Sequence, residues 1–368
     1  MTQQTQSDMA QGDTLRTSDF DYELPESLIA QTPMEPRDHS QLMSLHRADG
    51  GMRHYRFYDL PKMLRPGDLM VFNDSRVMPA RLRGRRLLPT RLRGARNPGG
   101  AIEMLLLTRL SPGVWRVIGR PGASLRRGAK FEITGAAASA GGSIRGEVLE
   151  IEMDGERIVR LDGEERLHDL GEVPLPPYIT ETLADSERYQ TVYAREEGSA
   201  AAPTAGLHFT PELLDEVRGM GVQTVFVTLH VGWGTFRPVK DDDPAAHTMH
   251  SEYWELSQDA ADSIRSAKTG GRRVISVGTT AVRLLEHAAS QSEDGLPRAG
   301  SGWADIFITP GYRFKVVDAL ITNFHLPRST LLMLTSAFSS RDIMLRAYNE
   351  AVARRYRFYS FGDAMFIH

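Results

Sequence analysis

Thr210–Val231, TPELLDEVRGMGVQTVFVTLHV, is the stretch that decides the fold class. Thr210 suits an N-cap and Pro211 the first helical position, Leu213, Leu214 and Val217 supply an apolar stripe, and Gly219 and Gly221 end the helix. The run Val222–Val231 follows at once as a strand. The same grammar repeats downstream. Ser257 caps a helix that carries Ala260, Ala261, Ile264 and Ala267 on one face and stops at Gly270-Gly271. Val274–Val277 is the next strand and Ala281–Ala289 the next helix, with Ile306–Thr309 and Ala319–Thr322 as further expected strands. Arg341–Arg355 closes as an amphipathic helix, and Tyr356–Phe361 reads as the last strand. Strands alternating with helices from about Pro174 onward predict a layered α/β fold.

Upstream the pattern changes. Between Gly67 and Gly163, turn residues cut the chain into the β-type runs Asp68–Phe72, Val77–Arg83, Ile102–Leu107, Val114–Ile118, Lys130–Thr134, Ile144–Ile151 and Arg157–Leu161. Such spacing predicts a small all-β barrel or sandwich. Asp154-Gly155 is a type I′ hairpin dipeptide, and Pro89–Gly100, rich in Arg, Gly and Pro, reads as a long loop. The segment Phe20–Leu45 looks unlike the barrel. The expected organisation is a disordered tail over 1–19, an α/β domain built from 20–66 plus 164–368, and an inserted small all-β barrel domain over 67–163.

The chain has 368 residues, 41% hydrophobic and 25% charged, which excludes collagen-like, disordered and disulfide-scaffold classes. It has no Cys, which removes thiol nucleophiles and Cys-ligated metal sites and fits a reducing compartment. No apolar run is long enough to span a membrane, and residues 1–19 lack a signal-peptide core, so the expected location is cytoplasmic. Net charge is −3, but unevenly spread: eight Arg and no acid lie between Arg76 and Arg96, and five acids between Glu147 and Glu156. A like-charged block is usually a solvated face, yet a purely basic one also fits polyanion contact.

In open α/β sheets ligands bind beyond the carboxyl ends of strands, which directs attention to three strand ends. The first is His230-Val231-Gly232-Trp233-Gly234-Thr235-Phe236-Arg237. The second is Gly278-Thr279-Thr280, where a helix start offers an anion site, and the third is Asn323-Phe324-His325-Leu326-Pro327. A fourth cluster, Ala202–Thr210, precedes a helix and holds Thr204, Gly206, His208 and Phe209. Each has a plain structural reading as cap, packing or surface, but three histidine-bearing clusters at loop positions of one sheet point to proton transfer. His247, His250 and Glu252 form a further polar run that reads as a solvated loop. P-loop, G-x-G-x-x-G, H-E-x-x-H and G-x-S-x-G motifs are all absent.

The blocks Phe20–Pro25, Val71–Val77, Tyr189–Ala194, Ala202–Thr210, His230–Phe236, Gly278–Thr280 and Ile321–Pro327 together carry a resemblance. With them the chain closely resembles the S-adenosylmethionine:tRNA ribosyltransferase-isomerases of queuosine biosynthesis, from residue 20 almost to the end. It departs from that pattern in the tail 1–19, in a longer 89–100 loop, and at Trp233, where an aliphatic residue is more usual.

The resemblance implies transfer and isomerisation of the ribosyl moiety of S-adenosylmethionine onto 7-aminomethyl-7-deazaguanine in tRNA, giving epoxyqueuosine-tRNA, adenine and methionine. It implies no metal or redox cofactor, S-adenosylmethionine being consumed as a substrate. The partners implied are tRNA and S-adenosylmethionine; no membrane partner and a monomeric chain are expected. The route removes a proton beside the sulfonium, expels adenine, joins the substrate amine to the ribose and closes a carbocyclic epoxide as methionine leaves. His208, His230 and His325 are the candidates for proton transfer. Phe209, Trp233 or Phe236 are expected to face the sulfonium, and the Thr279 and Thr280 amides with Arg237 to hold the methionine carboxylate. Thr204, Gly206, Gly232, Gly234, Thr235 and Asn323 complete the expected substrate site. Arg81, Arg83, Arg85, Arg86, Arg91, Arg93 and Arg96 are the expected RNA contacts. Two alternatives are a non-catalytic RNA-binding protein, which the histidine-bearing strand ends oppose, and an RNA methyltransferase using S-adenosylmethionine, which the missing Gly-rich cradle opposes.

Overall fold

A computed structural model describes residues 15–88, 99–135, 142–153, 155–232, 242–247 and 249–368. Its main body is a nine-stranded mixed sheet. Four parallel strands lie side by side in the order Gln223–Leu229, Leu69–Asn73, Val274–Val277 and Ala319–Asn323. The antiparallel Ala364–Ile367 follows, then Gln41–Leu45 and Met52–Arg56, while Glu252–Leu256 and Gly300–Ala304 extend the other edge.

Alternation along these strands separates two cores. Leu69 and Val71 point to the face covered by the helices Gln258–Thr269, Thr279–Ser290, Thr330–Phe338 and Arg341–Ala353. Met70 and Phe72 point to the face covered by Pro211–Gly219 and the 3-10 segment Phe57–Met63. Both predicted caps are in place: Thr210 Oγ1 accepts from the Leu213 N–H at 3.1 Å and Ser257 Oγ from the Ala260 N–H at 3.3 Å. Each such cap stabilises its helix by about 1 kcal/mol.

The second body is a closed barrel of six strands, Arg81–Leu87, Ala101–Ser111, Val114–Arg120, Arg157–Asp162, Ile144–Ile151 and Lys130–Ile133, the last pairing back onto the first. Gly171–Glu172 adds a seventh strand to its rim, and Phe131, Ile133, Val117 and Val159 fill the interior. Mixed α/β architecture with a small all-β barrel is therefore what the chain adopts.

Several elements differ from expectation. Leu69–Asn73, expected in the barrel, is a central strand of the main sheet, so the barrel sheet runs from Arg81 to Glu172 rather than from 67 to 163. A strand buried on both faces is a continuous apolar run, which periodicity does not assign to one sheet or another. Ile306–Thr309 is not a strand; the strand lies earlier, at Gly300–Ala304. The final strand is Ala364–Ile367, and Tyr356–Phe361 instead makes a single bridge, Phe358 to Ile29. No helix among the described residues is long and apolar enough to cross a membrane.

Candidate active site

Three of the parallel strands deliver their carboxyl ends to one cavity of about 90 Å³. Gln223–Leu229 reaches it through Val231, Val274–Val277 through Gly278, Thr279 and Thr280, and Ala319–Asn323 through Phe324, His325 and Leu326. The segment Ala201–Ala205 forms another wall, and Tyr178, Tyr359 and Ser360 a further one. Of the residues singled out in the sequence, Thr204, Thr279, Thr280, Asn323 and His325 meet here.

Asn323 organises this wall. Its Oδ1 accepts from Thr204 Oγ1 at 3.1 Å, and its Nδ2 donates to the Tyr359 carbonyl at 3.1 Å and to His208 Nε2 at 3.2 Å. A carbonyl only accepts, so the amide orientation is fixed and His208 Nε2 must be an acceptor too. The proton of His208 then sits on Nδ1, which donates to Ser40 Oγ at 2.7 Å. Burial, reinforced by the nearby Arg357 and Arg37 charges, brings its pKa down to about 3, so the ring is neutral. His208 also stacks on Phe57, with centroids 4.8 Å apart. It stands behind Asn323 rather than in the cavity and fixes the orientation of that amide.

His325 does line the cavity. Its Nε2 lies 2.8 Å from Thr322 Oγ1, while its backbone N–H donates to Tyr348 Oη at 3.0 Å and its carbonyl accepts from Tyr22 Oη at 2.6 Å. Burial lowers its pKa to about 3. Nδ1 has no hydrogen-bond partner among the described residues. His325 is thus a neutral imidazole held at one nitrogen and open at the other.

His230 is placed elsewhere. Its ring lies against Tyr253, centroids 6.0 Å apart, and against Gly198, where an added Cβ would come within 2.8 Å of it. Its Nδ1 is buried without a partner among the described residues, and burial lowers its pKa against the opposing pull of Glu196, Asp74 and Glu255. Phe209 is fully buried on the opposite face of the sheet, edge-on to Phe57 and Phe72, and is core rather than a sulfonium contact. Gly206 is needed for close packing, since a Cβ there would meet the Tyr193 hydroxyl at 1.9 Å. Gly232 donates its N–H to Glu252 Oε1 at 2.9 Å. Trp233, Gly234, Thr235, Phe236 and Arg237 lie outside the described residues.

At the helix start, Gly278 has φ +91°, a conformation glycine adopts without penalty. The turn leaves the first helical N–H groups of Thr279–Ser290 without intrahelical partners, facing a cavity they help line. Asn73 fixes that start: its Nδ2 donates to Thr280 Oγ1 at 3.1 Å and to the Leu229 carbonyl at 2.9 Å, tying strand, strand and helix together.

Sequence reasoning missed Tyr359, whose backbone sits at φ +70° beside the cavity, a strained conformation for a bulky residue. It also missed the burial of Glu252. That residue is in a strand, 3% exposed, and ion-paired to the buried Arg283, so the expected solvated loop is a correction. Among the described residues no group of three or more His, Asp or Glu is placed to hold a metal ion.

A family model described as "Queuosine biosynthesis protein" matches residues 17–367 of this chain. The chain belongs to that family. Its relatives include proteins named S-adenosylmethionine:tRNA ribosyltransferase-isomerase from Symbiobacterium thermophilum, 54% identical over 96% of this chain and 100% of the relative, and from Acetivibrio thermocellus, 52% identical with the same coverage. Among solved structures it resembles the S-adenosylmethionine tRNA ribosyltransferase of Thermotoga maritima, at 38% identity and TM-score 0.54, covering 95% of this chain and all of that one. As a member of this queuosine biosynthesis family the chain is an enzyme.

The barrel of this family member is basic: residues 81–172 carry 17 Lys and Arg against 12 Asp and Glu, a net +5, in a chain whose total is −3. Of the seven arginines flagged in the sequence, four are described and three of these are matched by a carboxylate. Arg81 and Arg83 lie 3.9 and 3.7 Å from Glu103, Arg83 lies 3.4 Å from Glu172, and Arg85 lies 3.0 Å from Glu132. Arg86 is half-buried, and its Nε has no hydrogen-bond partner among the described residues. Arg91, Arg93 and Arg96 lie outside the described residues. The sequence reading did not single out Arg120, Arg126, Arg127 and Lys130, which are exposed, carry no ion pair among the described residues and have no acid between them.

Proposed function

We propose that this enzyme transfers and isomerises the ribosyl moiety of S-adenosylmethionine onto 7-aminomethyl-7-deazaguanine in tRNA, forming epoxyqueuosine-tRNA and releasing adenine and methionine. The observation that carries the reading is convergence: strand ends 231, 278–280 and 322–326 and the 201–205 segment, from four separate sequence blocks, wall one cavity. The activity of the relatives suggests the chemistry, and the cavity offers groups that suit it.

His325 is the proton-transfer group in this reading. It is the imidazole that lines the cavity, and Thr322 holds its ring. Because it is neutral, it adds no cation beside the sulfonium, and its open Nδ1 is free to face the carbon that loses a proton. Thr204 and Asn323 offer polar contacts to ribose or adenine, with His208 locking Asn323 from behind. The free N–H groups at Thr279 and Thr280 suit negative charge. The reaction as written needs no metal or redox cofactor, because adenine and methionine depart as stable species. The target base must leave its stack to enter a cavity at all, and the basic barrel suits the phosphate backbone that presents it. A tRNA substrate makes the cytoplasm the expected compartment.

The test is incubation with S-adenosylmethionine and tRNA bearing either unmodified guanine or 7-aminomethyl-7-deazaguanine, followed by assay of small products. Adenine and methionine, released only with the modified tRNA, are expected. S-adenosylhomocysteine would mean methyl transfer instead, and binding without turnover would mean an RNA-binding protein. Replacing His325 by Ala should lower single-turnover transfer by roughly 10²- to 10⁴-fold. A rate near wild type would remove it from the chemistry.

A further inference from the structure

A second, smaller cavity of about 30 Å³ adjoins the first, with Leu331 lining both. Its walls include Arg283, Glu252, His250, Thr330 and Ile306. Arg283 follows Thr279 by four residues on the same helix, so one helix side presents Thr279 to the main cavity and Arg283 to the second. Arg283 and Glu252 have side chains only 6% and 2% exposed, and Nη1 of the arginine donates to Oε2 of the carboxylate. Nε reaches the Ile306 carbonyl at 3.4 Å. Nη2 is buried without a hydrogen-bond partner among the described residues.

A charged donor taken out of water and given no acceptor is a large standing cost. Resting on the reading of the main cavity as the S-adenosylmethionine site, we infer that the Arg283–Glu252 pair seats the α-amino-carboxylate end of that substrate, the carboxylate meeting Arg283 Nη2. Charge selects this group. The Arg–Glu pair is neutral as a whole, so a lone anion would leave the site with net charge, whereas a zwitterion places its carboxylate by Arg283 and its ammonium by Glu252 without changing the balance. The second cavity is the smaller of the two, so the carboxylate end is placed there and the adenosyl part in its larger neighbour. The expected carboxylate partner Arg237 lies outside the described residues, so Arg283 is an addition to the candidates, not a replacement shown to act alone.

The experiment compares calorimetric binding of S-adenosylmethionine with that of its decarboxylated analogue, which keeps adenosine, sulfonium and amine. Wild-type protein should prefer S-adenosylmethionine by roughly 10- to 100-fold. Arg283→Lys, which keeps a cation beside Glu252 but loses the forked donor, should lose most of that preference and leave the analogue's affinity unchanged. Equal binding of the two compounds by the wild type, a comparison that needs no variant, would overturn the inference, as would full preference retained in Arg283→Lys. Failure of both compounds to bind the wild type would overturn the reading of the main cavity as well.

Discussion

The nine-stranded sheet and the barrel handle polar groups in opposite ways. Around the cavity in the sheet, buried groups hold specific partners: Asn73 with Leu229 and Thr280, Asn323 with Thr204, Tyr359 and His208, and Glu252 with Arg283. On the arginine-rich strand Arg81–Leu87 of the barrel, polar groups stand at the surface in looser ion pairs such as Arg81 and Arg83 with Glu103, at 3.9 and 3.7 Å. Burial makes each sheet interaction individually costly to break and geometrically fixed, which suits a site that positions reacting atoms. Surface pairs are screened and individually cheap, which suits a face acting through summed charge.

The sharpest way to break that comparison is to remove one carboxylate from each region. Glu252→Ala leaves Arg283 buried and uncompensated and should cost about 3–5 kcal/mol of unfolding free energy. Glu103→Ala, whose side chain is 45% exposed, should cost about 1 kcal/mol or less. Denaturant titration of both variants checks this. Similar losses would mean that burial is not what separates the two regions.

The next effect is smaller and depends on pH. Burial holds both His208 and His325 at a pKa of about 3, well below the 6.5 of an exposed imidazole, so below pH 6.5 the unfolded chain binds protons that the folded one refuses. The stability these neutral rings share in is therefore complete above about pH 6.5 and falls as pH drops toward 3. The loss at pH 5 is about 2 kcal/mol per histidine. His208→Gln, with an amide that does not titrate, should flatten the pH 7 to 5 slope by about that amount in equilibrium unfolding. A slope unchanged in His208→Gln would mean that His208 is already charged or exposed in the folded protein.

These two regions also differed in how far the sequence foretold them. Local signals read well: the Thr210 and Ser257 caps and the apolar faces they introduce are found where the residues put them. The strand ends 231, 278–280 and 322–326 share a cavity because strand-end position follows from an α/β sheet. What the sequence does not show is what depends on distant partners. His208 looked like a proton carrier because burial behind Asn323 is set by residues 115 positions away. Arg283 looked like one more arginine on a helix, since its partner Glu252 lies 31 residues back, in a strand without a clear pattern. The arginines 81, 83 and 85 formed an acid-free block along the chain, yet their glutamates arrive across the barrel from Glu103, Glu132 and Glu172.

That last point reshapes which barrel residues should contact tRNA, and it gives the prediction with the smallest effect per residue. Charges already matched by a nearby carboxylate release fewer counterions on meeting a phosphate than unmatched ones do. Arg120, Arg126, Arg127 and Lys130 are exposed and carry no ion pair among the described residues, so they should contribute more per residue than Arg81, Arg83 and Arg85. Each phosphate contact adds about 0.7–0.9 to the slope of log K against log salt, so replacing all four by Gln should lower that slope by roughly 3. Replacing Arg81, Arg83 and Arg85 together should lower it by clearly less, and stability should change by no more than about 1 kcal/mol per broken pair. Both sets should leave S-adenosylmethionine affinity untouched, because the cavity lies on the other body of the molecule. Filter binding of tRNA across salt concentrations separates the outcomes. A larger slope change from the 81–85 set would show that ion pairing on the barrel yields to RNA, and the surface pairs would then be a latch to be exchanged rather than a matched charge.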